Sequence, residues 1–366
     1  MKTGYTDLPL HYGNAPKWLF SRMVELSRIV YVAIEREYGK DEFLKRISDP
    51  FWFQCLACVL GFDFHSSGTT TVTCGALKEA LSIEEYGIEF LGGKGRSAIN
   101  VKEEINLLSD RINISQSKLD SLLYASKISA KVDNSLIQDG YQLYHHSFIV
   151  TEEGRWAVIQ QGLNSNTKYA RRYHWLDEKV SDFVVEPHAA ICCDESKECL
   201  NLTAFESEES RRSIVDLVKE APERLIAKTK DLNQTTLLEY GFTMQSRHEI
   251  DLYLYQRLMD LNEFNPSKFE EVIAYPGVGP KTIRALALLS ELIYGSKPSW
   301  RDPVKYSFAL GGKDGYPYPV DRKTYDSTIE FLNDAISNSN LNEKEKLNAV
   351  KRLNNLYINL LGTAIL

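Results

Sequence analysis

No run of about 18 apolar residues occurs in the chain, so no stretch of it reads as a membrane-spanning helix. The opening MKTGYTDLPLHYG lacks the basic and apolar regions of a secretory leader. A cytoplasmic protein without membrane attachment is therefore expected. Excess positive charge is also missing: 43 Lys and Arg stand against 50 Asp and Glu, a net charge of −7. This excludes a chain coated in basic residues. It does not exclude nucleic-acid binding, which local patches decide. Paired CxxC motifs are absent as well. Of six cysteines, Cys55 and Cys58 have that spacing, inside the apolar string FWFQCLACVLGF, and no second pair answers them. A zinc finger is thus not expected, and buried free thiols are. No long-period repeat is present, which excludes a solenoid.

What the chain does have is 366 residues, 43% hydrophobic and 25% charged, enough for two domains. The predicted fold class is α+β: a mixed domain with a β-hairpin-centred sheet over residues 1–200, then an all-α domain over 201–366. Strand signals vanish after the charged boundary SKECLNLTAFESEESRR.

The most informative stretch lies in the second half, FEEVIAYPGVGPKTIRALALLSELIYG, residues 269–295. Phe269, Val272 and Ile273 share one helical face. Pro276 stops that helix, Gly277 and Gly279 permit a sharp turn, and Pro280 suits the first turn of a second helix. Bare amides at that helix start, with Lys281, Thr282 and Arg284 beside them, form an anion site whose natural ligand is a backbone phosphate. The string resembles the helix-hairpin-helix motif of DNA-repair proteins, which implies a grip on one strand without base readout.

The first half offers chemistry. Residues 61–81, GFDFHSSGTTTVTCGALKEAL, place Asp63 and His65 before a Ser-Ser-Gly turn; Thr69–Cys74 has strand composition. In GIEFLGGKGRSA, a strand runs into a glycine-rich loop where Lys94 and Arg96 can meet a phosphate. Residues 139–175 predict a β-hairpin turning at Glu153-Gly154. It carries His145, His146, Gln160 and Gln161, followed by Lys168, Arg171, Arg172 and His174 among aromatics, a pattern suited to phosphate contact and stacking. His188 and Glu186 follow in EPHAAICC. Mixed histidine and carboxylate suits a divalent metal, Mg or Mn, with Asp63, His65, His146, Glu186 and His188 as ligands.

Strings from TDLPLHYGNAPKWLF through HHSFIVTEEGRWAVIQQGLN and ARRYHWL to SWRDPVKYSFALGGKDGYPYPVD make the chain resemble, almost end to end, a family catalogued as domain of unknown function 763. That resemblance implies the mixed and helical pair of domains, with DNA processing as theme. Lys281 also matches the lysine that, in helix-hairpin-helix base-excision glycosylases, attacks the sugar C1′, and Val320-Asp321 echoes the supporting aspartate.

Three functions are therefore expected in order. The first is a metal-dependent DNA nuclease, with His145, His146, His174 and His188 acting on the strand, Gln160 and Gln161 beside them, and Arg171 and Arg172 neutralising the phosphate. The second is a glycosylase/AP lyase using Lys281 and Asp321. The third is a DNA-binding adaptor without catalysis. A homodimer is expected if the hairpin is exposed enough to pair.

Overall fold

The computed structural model describes residues 15–61, 68–193, 198–225 and 252–304, with single positions between 330 and 351. Four helices come first: α1 (Lys17–Tyr38), α2 (Lys40–Ser48), α3 (Pro50–Leu60) and α4 (Gly68–Ala80). Asp49 caps α3 through Trp52 N–H at 2.8 Å, with Pro50 in the first turn, and Gly61 closes it in left-handed geometry. Thr69–Cys74, expected as a strand, belongs to α4 instead. Its buried face, Thr69, Thr70, Thr73, Cys74 and Leu77, packs on the sheet, and that burial outweighs a weak β-propensity.

A short α5 (Ile83–Tyr86) leads into β1 (Ile88–Lys94), α6 (Arg96–Asn106) and α7 (Gln116–Ser135). Then come β2 (Ile137–Gln138), β3 (Gln142–Thr151), β4 (Trp156–Leu163), β5 (Ala170–Leu176), β6 (Ala190–Cys192) and β7 (Leu200–Asn201). The main sheet is antiparallel in the order β1-β3-β4-β5-β6, and β2 pairs with β7 apart from it. The expected hairpin is β3–β4, and it lies inside the sheet, with β1 and β5 on its flanks. It is therefore not an exposed edge for self-pairing, and the ground for expecting a homodimer falls away.

Helices cover both faces of the sheet. On one, α1–α4 enclose Phe90, Ile149, Ala157, Ile159 and Leu176. On the other, Leu91, Phe148, Val158 and Trp175 share a core with α6 and α7. The same core runs on into α8 (Glu208–Lys219), α9 (Leu252–Phe264), α10 (Phe269–Ala274) and α11 (Pro280–Tyr294) through Ile214, Leu217, Leu258, Val272, Ile283 and Leu286. The fold is thus mixed α+β with an antiparallel sheet. No described helix is long and apolar enough to cross a membrane.

The glycine-rich loop expected after residue 91 is the end of β1: Gly92, Gly93 and Lys94 pair with Ser147, His146 and His145. Glu104 accepts the Gly92 amide at 2.7 Å, and the Tyr144 carbonyl accepts that of Gly95 at 2.9 Å. These amides are committed, which removes the phosphate nest expected there. Glycine is needed at 92 because φ is +81° and a Cβ would lie 2.3 Å from the His146 carbonyl oxygen. Gly92→Ala is accordingly expected to cost more than about 1 kcal/mol in urea unfolding. Gly39→Ala, also at positive φ but with open space around its Cβ, should cost less.

Candidate functional site

A strand's side chains alternate between faces, and this decides where the histidines go. In register across the sheet, Lys94, His145, Gln161 and Arg172 form one row, and Ser147 and His174 another; both rows face α1–α4. His146, Gln160 and Tyr173 point the other way, toward α7. The four histidines expected to converge are therefore split, with His145 and His174 on one side and His146 and His188 on the other.

The row facing α3 and α4 is sealed. Thr70 donates to Gln161, which in turn donates to the Tyr144 hydroxyl. Arg172 is fully buried and donates to the His174 Nε2 at 2.9 Å and to Gln54 and Thr70 at 3.3 Å. Its guanidinium holds the sheet to the helices and has no path to a substrate phosphate. Arg171, 1% exposed, is equally committed: it pairs with Asp139 and with Asp302, each at 2.8 Å, and lies over the Tyr141 ring. The transition-state role expected for these two arginines is corrected by their burial. Lys168 and Arg96 are exposed, on a turn and at the start of α6, and Lys94 is exposed beside Tyr144.

On the α7 side the polar groups form a chain of hydrogen bonds. Ser126 meets His146 Nε2 at 2.9 Å, and His146 Nδ1 meets Gln160 Oε1 at 2.9 Å. Gln160 donates to Asp133 Oδ2 at 2.5 Å, as does the Trp175 indole at 3.0 Å. Asp133 Oδ1 accepts from His188 Nε2 at 2.5 Å. The His188 ring stands edge-on to Trp175, with centroids 4.6 Å apart.

His188 is 5% exposed and lines a cleft of about 220 Å³ with Glu186, Asn201, Thr203, Glu206, Ser299, Arg301 and Asp302 among its walls. Asn201 ties this wall together: it bridges to Ser299, its side-chain oxygen caps the Thr203 and Ala204 amides, and its Nδ2 donates to the Arg301 carbonyl. Glu186 sits there with φ +44°, a left-handed backbone for a non-glycine residue.

Of the expected metal set, His146 has both ring nitrogens taken by protein groups, while His188 is bonded to Asp133 through Nε2 alone. Among the described residues no group of three or more His, Cys, Asp or Glu is placed to hold a metal ion. Asp63 and His65 lie outside the described residues, as does Asp321. Asp133 was missed by the sequence reading. Its signal was there: Ser126, Ser129 and Asp133 fall at i, i+3 and i+7, a polar stripe on the buried face of α7.

The turn between α10 and α11 is at the surface. Pro276, Gly277, Pro280, Lys281 and Arg284 are exposed, while Val278 is buried as a peg into the core. Its carbonyls accept from side chains of neighbouring elements. Lys127 of α7 donates to Ala274, Lys131 to Val278, Gln138 of β2 to Pro280 at 2.8 Å, and Tyr253 of α9 to Gly277 at 2.9 Å. The amides of Gly277, Gly279, Lys281 and Thr282 take no partner among the described residues. Thr282 is buried, and its hydroxyl takes no partner among the described residues and faces no solvent. Sequence reasoning also missed Arg257, whose guanidinium would be 2.5 Å from a Cβ at Gly277.

Comparison with known proteins places the chain on one family model, described as "Protein of unknown function (DUF763)", over residues 4–320. No curated protein matches the chain, and neither does any solved structure.

Burial holds three histidines neutral. It pushes His145 down to about 3, helped by His146 and Lys94; it lowers His146; and it takes His174 well below the ordinary range, with Arg172 adding to it. All three folded values lie below the unfolded value of about 6.5, so the unfolded chain binds more protons as pH falls. The associated stability is whole above about pH 6.5 and is lost on acidification, for His145 down to about pH 3. Each histidine contributes at most about 1.4 kcal/mol per pH unit. Urea midpoints between about pH 7 and 5 should fall accordingly, and His145→Gln should flatten the slope. Arg171→Met, which strands Asp139 and Asp302, should destabilise by about 3–5 kcal/mol in the same assay.

Proposed function

The chain belongs to the DUF763 family, whose description assigns no activity, and from the site alone we propose that it binds the sugar–phosphate backbone of DNA through the 276–284 corner and hydrolyses a phosphodiester of the strand it holds. One observation carries this reading: the corner's carbonyls are tied to α7, β2 and α9, while the amides of Gly277, Gly279, Lys281 and Thr282 take no partner among the described residues and Gly277 and Lys281 are exposed. Unpartnered amides at the positive end of α11, flanked by Lys281 and Arg284, suit an anion. A phosphate backbone is the anion that such a turn can follow without reading bases. On this reading α10, the corner and α11 form a helix-hairpin-helix unit, and Val278 is the peg that fixes it to the core.

The net charge of −7 is compatible with this, because the grip is local. Phosphodiester hydrolysis is favoured over an AP-lyase reaction by the setting of Lys281. A lysine nucleophile requires desolvation, and Lys281 stands in solvent. The nuclease reading is tested on labelled single- and double-stranded DNA with magnesium, manganese or chelator. A product in none of these would leave a binding protein.

For the corner itself, Lys281→Ala and Arg284→Ala are each expected to weaken binding uniformly across sequences. Each should also lower the slope of log affinity against log salt by about 1. Fluorescence anisotropy across a salt series measures both. Unchanged affinity in the double variant would remove the corner from the interface.

A further inference from the structure

Resting on the strand-binding reading above, we propose that His188 is the general base of a hydrolytic site in the 220 Å³ cleft, that Asp133 positions it, and that the bond cleaved is a phosphodiester of the strand held at the corner. The geometry fixes the tautomer. A carboxylate oxygen can only accept from the imidazole, so in the neutral ring Nε2 carries the proton and Nδ1 keeps its lone pair. Nδ1 has no protein partner among the described residues, and it is not among the nitrogens sealed from solvent. His188 is one of the residues lining the cleft, and in the proposed site that lone pair serves there.

Asp133 is not free to do anything else. It is fully buried, with one oxygen held by Gln160 and Trp175 and the other turned to His188. Trp175 also walls the imidazole, so that the ring is fixed in plane and direction. A base held this way needs no reorganisation before it takes a proton.

The cleft is tied to the corner by one residue. Gln138 donates to the Pro280 carbonyl, and its strand partner is Leu200, next to Asn201 in the cleft wall. The corner and the cleft wall are therefore mounted on the same β2–β7 pair. On the rim, Arg301 is the cation for a phosphate, and Glu186 and Glu206 oppose it.

In the reaction, water gives a proton to His188 Nδ1 as its oxygen bonds to phosphorus. One bridging P–O bond breaks. The leaving oxygen takes a proton from the imidazolium or from solvent, giving a phosphate monoester and an alcohol.

The test uses the full-length protein and fluorescein-labelled DNA. His188→Gln is expected to lower kcat by about 10²–10⁴-fold, with KM and strand affinity unchanged. Asp133→Asn should lower kcat with KM unchanged, and ¹⁵N spectra of the His188 ring should show the proton no longer confined to Nε2. Glu206→Gln should raise cleavage at low salt, by removing a charge that repels phosphate. Retained kcat in His188→Gln, base loss preceding scission, or a fall in cleavage with Glu206→Gln would each overturn the proposal. If the wild type binds DNA and never cuts it, the catalytic assignment falls while strand binding stands. If Lys281→Ala with Arg284→Ala leaves affinity unchanged while His188→Gln still abolishes cutting, it is the corner reading that falls.

Discussion

A sheet covered on both faces gives its polar side chains nowhere to escape to, and this constraint organises the molecule. β3, β4 and β5 carry His145, His146, Gln160, Gln161, Arg171, Arg172 and His174, all buried. An unpaired polar group in such a place costs roughly 1–3 kcal/mol, and an unpaired charge more. The chain meets most of the cost with partners from outside the sheet: Thr70 and Gln54 from the helices on one face, Ser126 and Asp133 from α7 on the other, and Asp302 from the segment after α11; the His145 Nδ1 is left without one among the described residues. Each partnership also fixes where a helix lies.

The same interior joins the two halves of the chain. Arg171 in β5 reaches Asp302, β7 pairs with β2 and bridges to Ser299, and Lys127, Lys131 and Gln138 hold the corner from below. The helices of the second half thus share a core with the sheet. Corner and cleft are surface features mounted on one continuous support. For the strand binding proposed above, that shared support would set how well the turn presents its amides.

Burial also separates roles that look alike in sequence. His145, His146, His174 and His188 are all strand or loop histidines with polar neighbours. Three are solvated by protein on their bonded sides and kept neutral, and His188 alone among them has a carboxylate behind it and a cleft in front. Arg171 and Arg172, adjacent and identical in type, are divided by the pleat: one anchors carboxylates, the other neutral oxygens and His174.

Local chemistry, and so the sequence by itself, determined what neighbours along the chain can decide: the hairpin at Glu153-Gly154, the helix of Lys17–Tyr38, and the tight corner set by Pro276, Gly277 and Pro280. It also brought the relevant residue types into view, His188 among them. Only the tertiary structure decided which of these meet. Side-chain alternation fixes that neighbours on a strand part company, but not what each face will be packed against, so the split of the histidines and the burial of both arginines came from the helices that close over the sheet. The polar stripe of α7 marks Asp133 locally, but the partners it meets, 27 and 55 residues away, became legible only when α7 was laid on β4. Contacts at that separation are set by packing, and no local pattern encodes them.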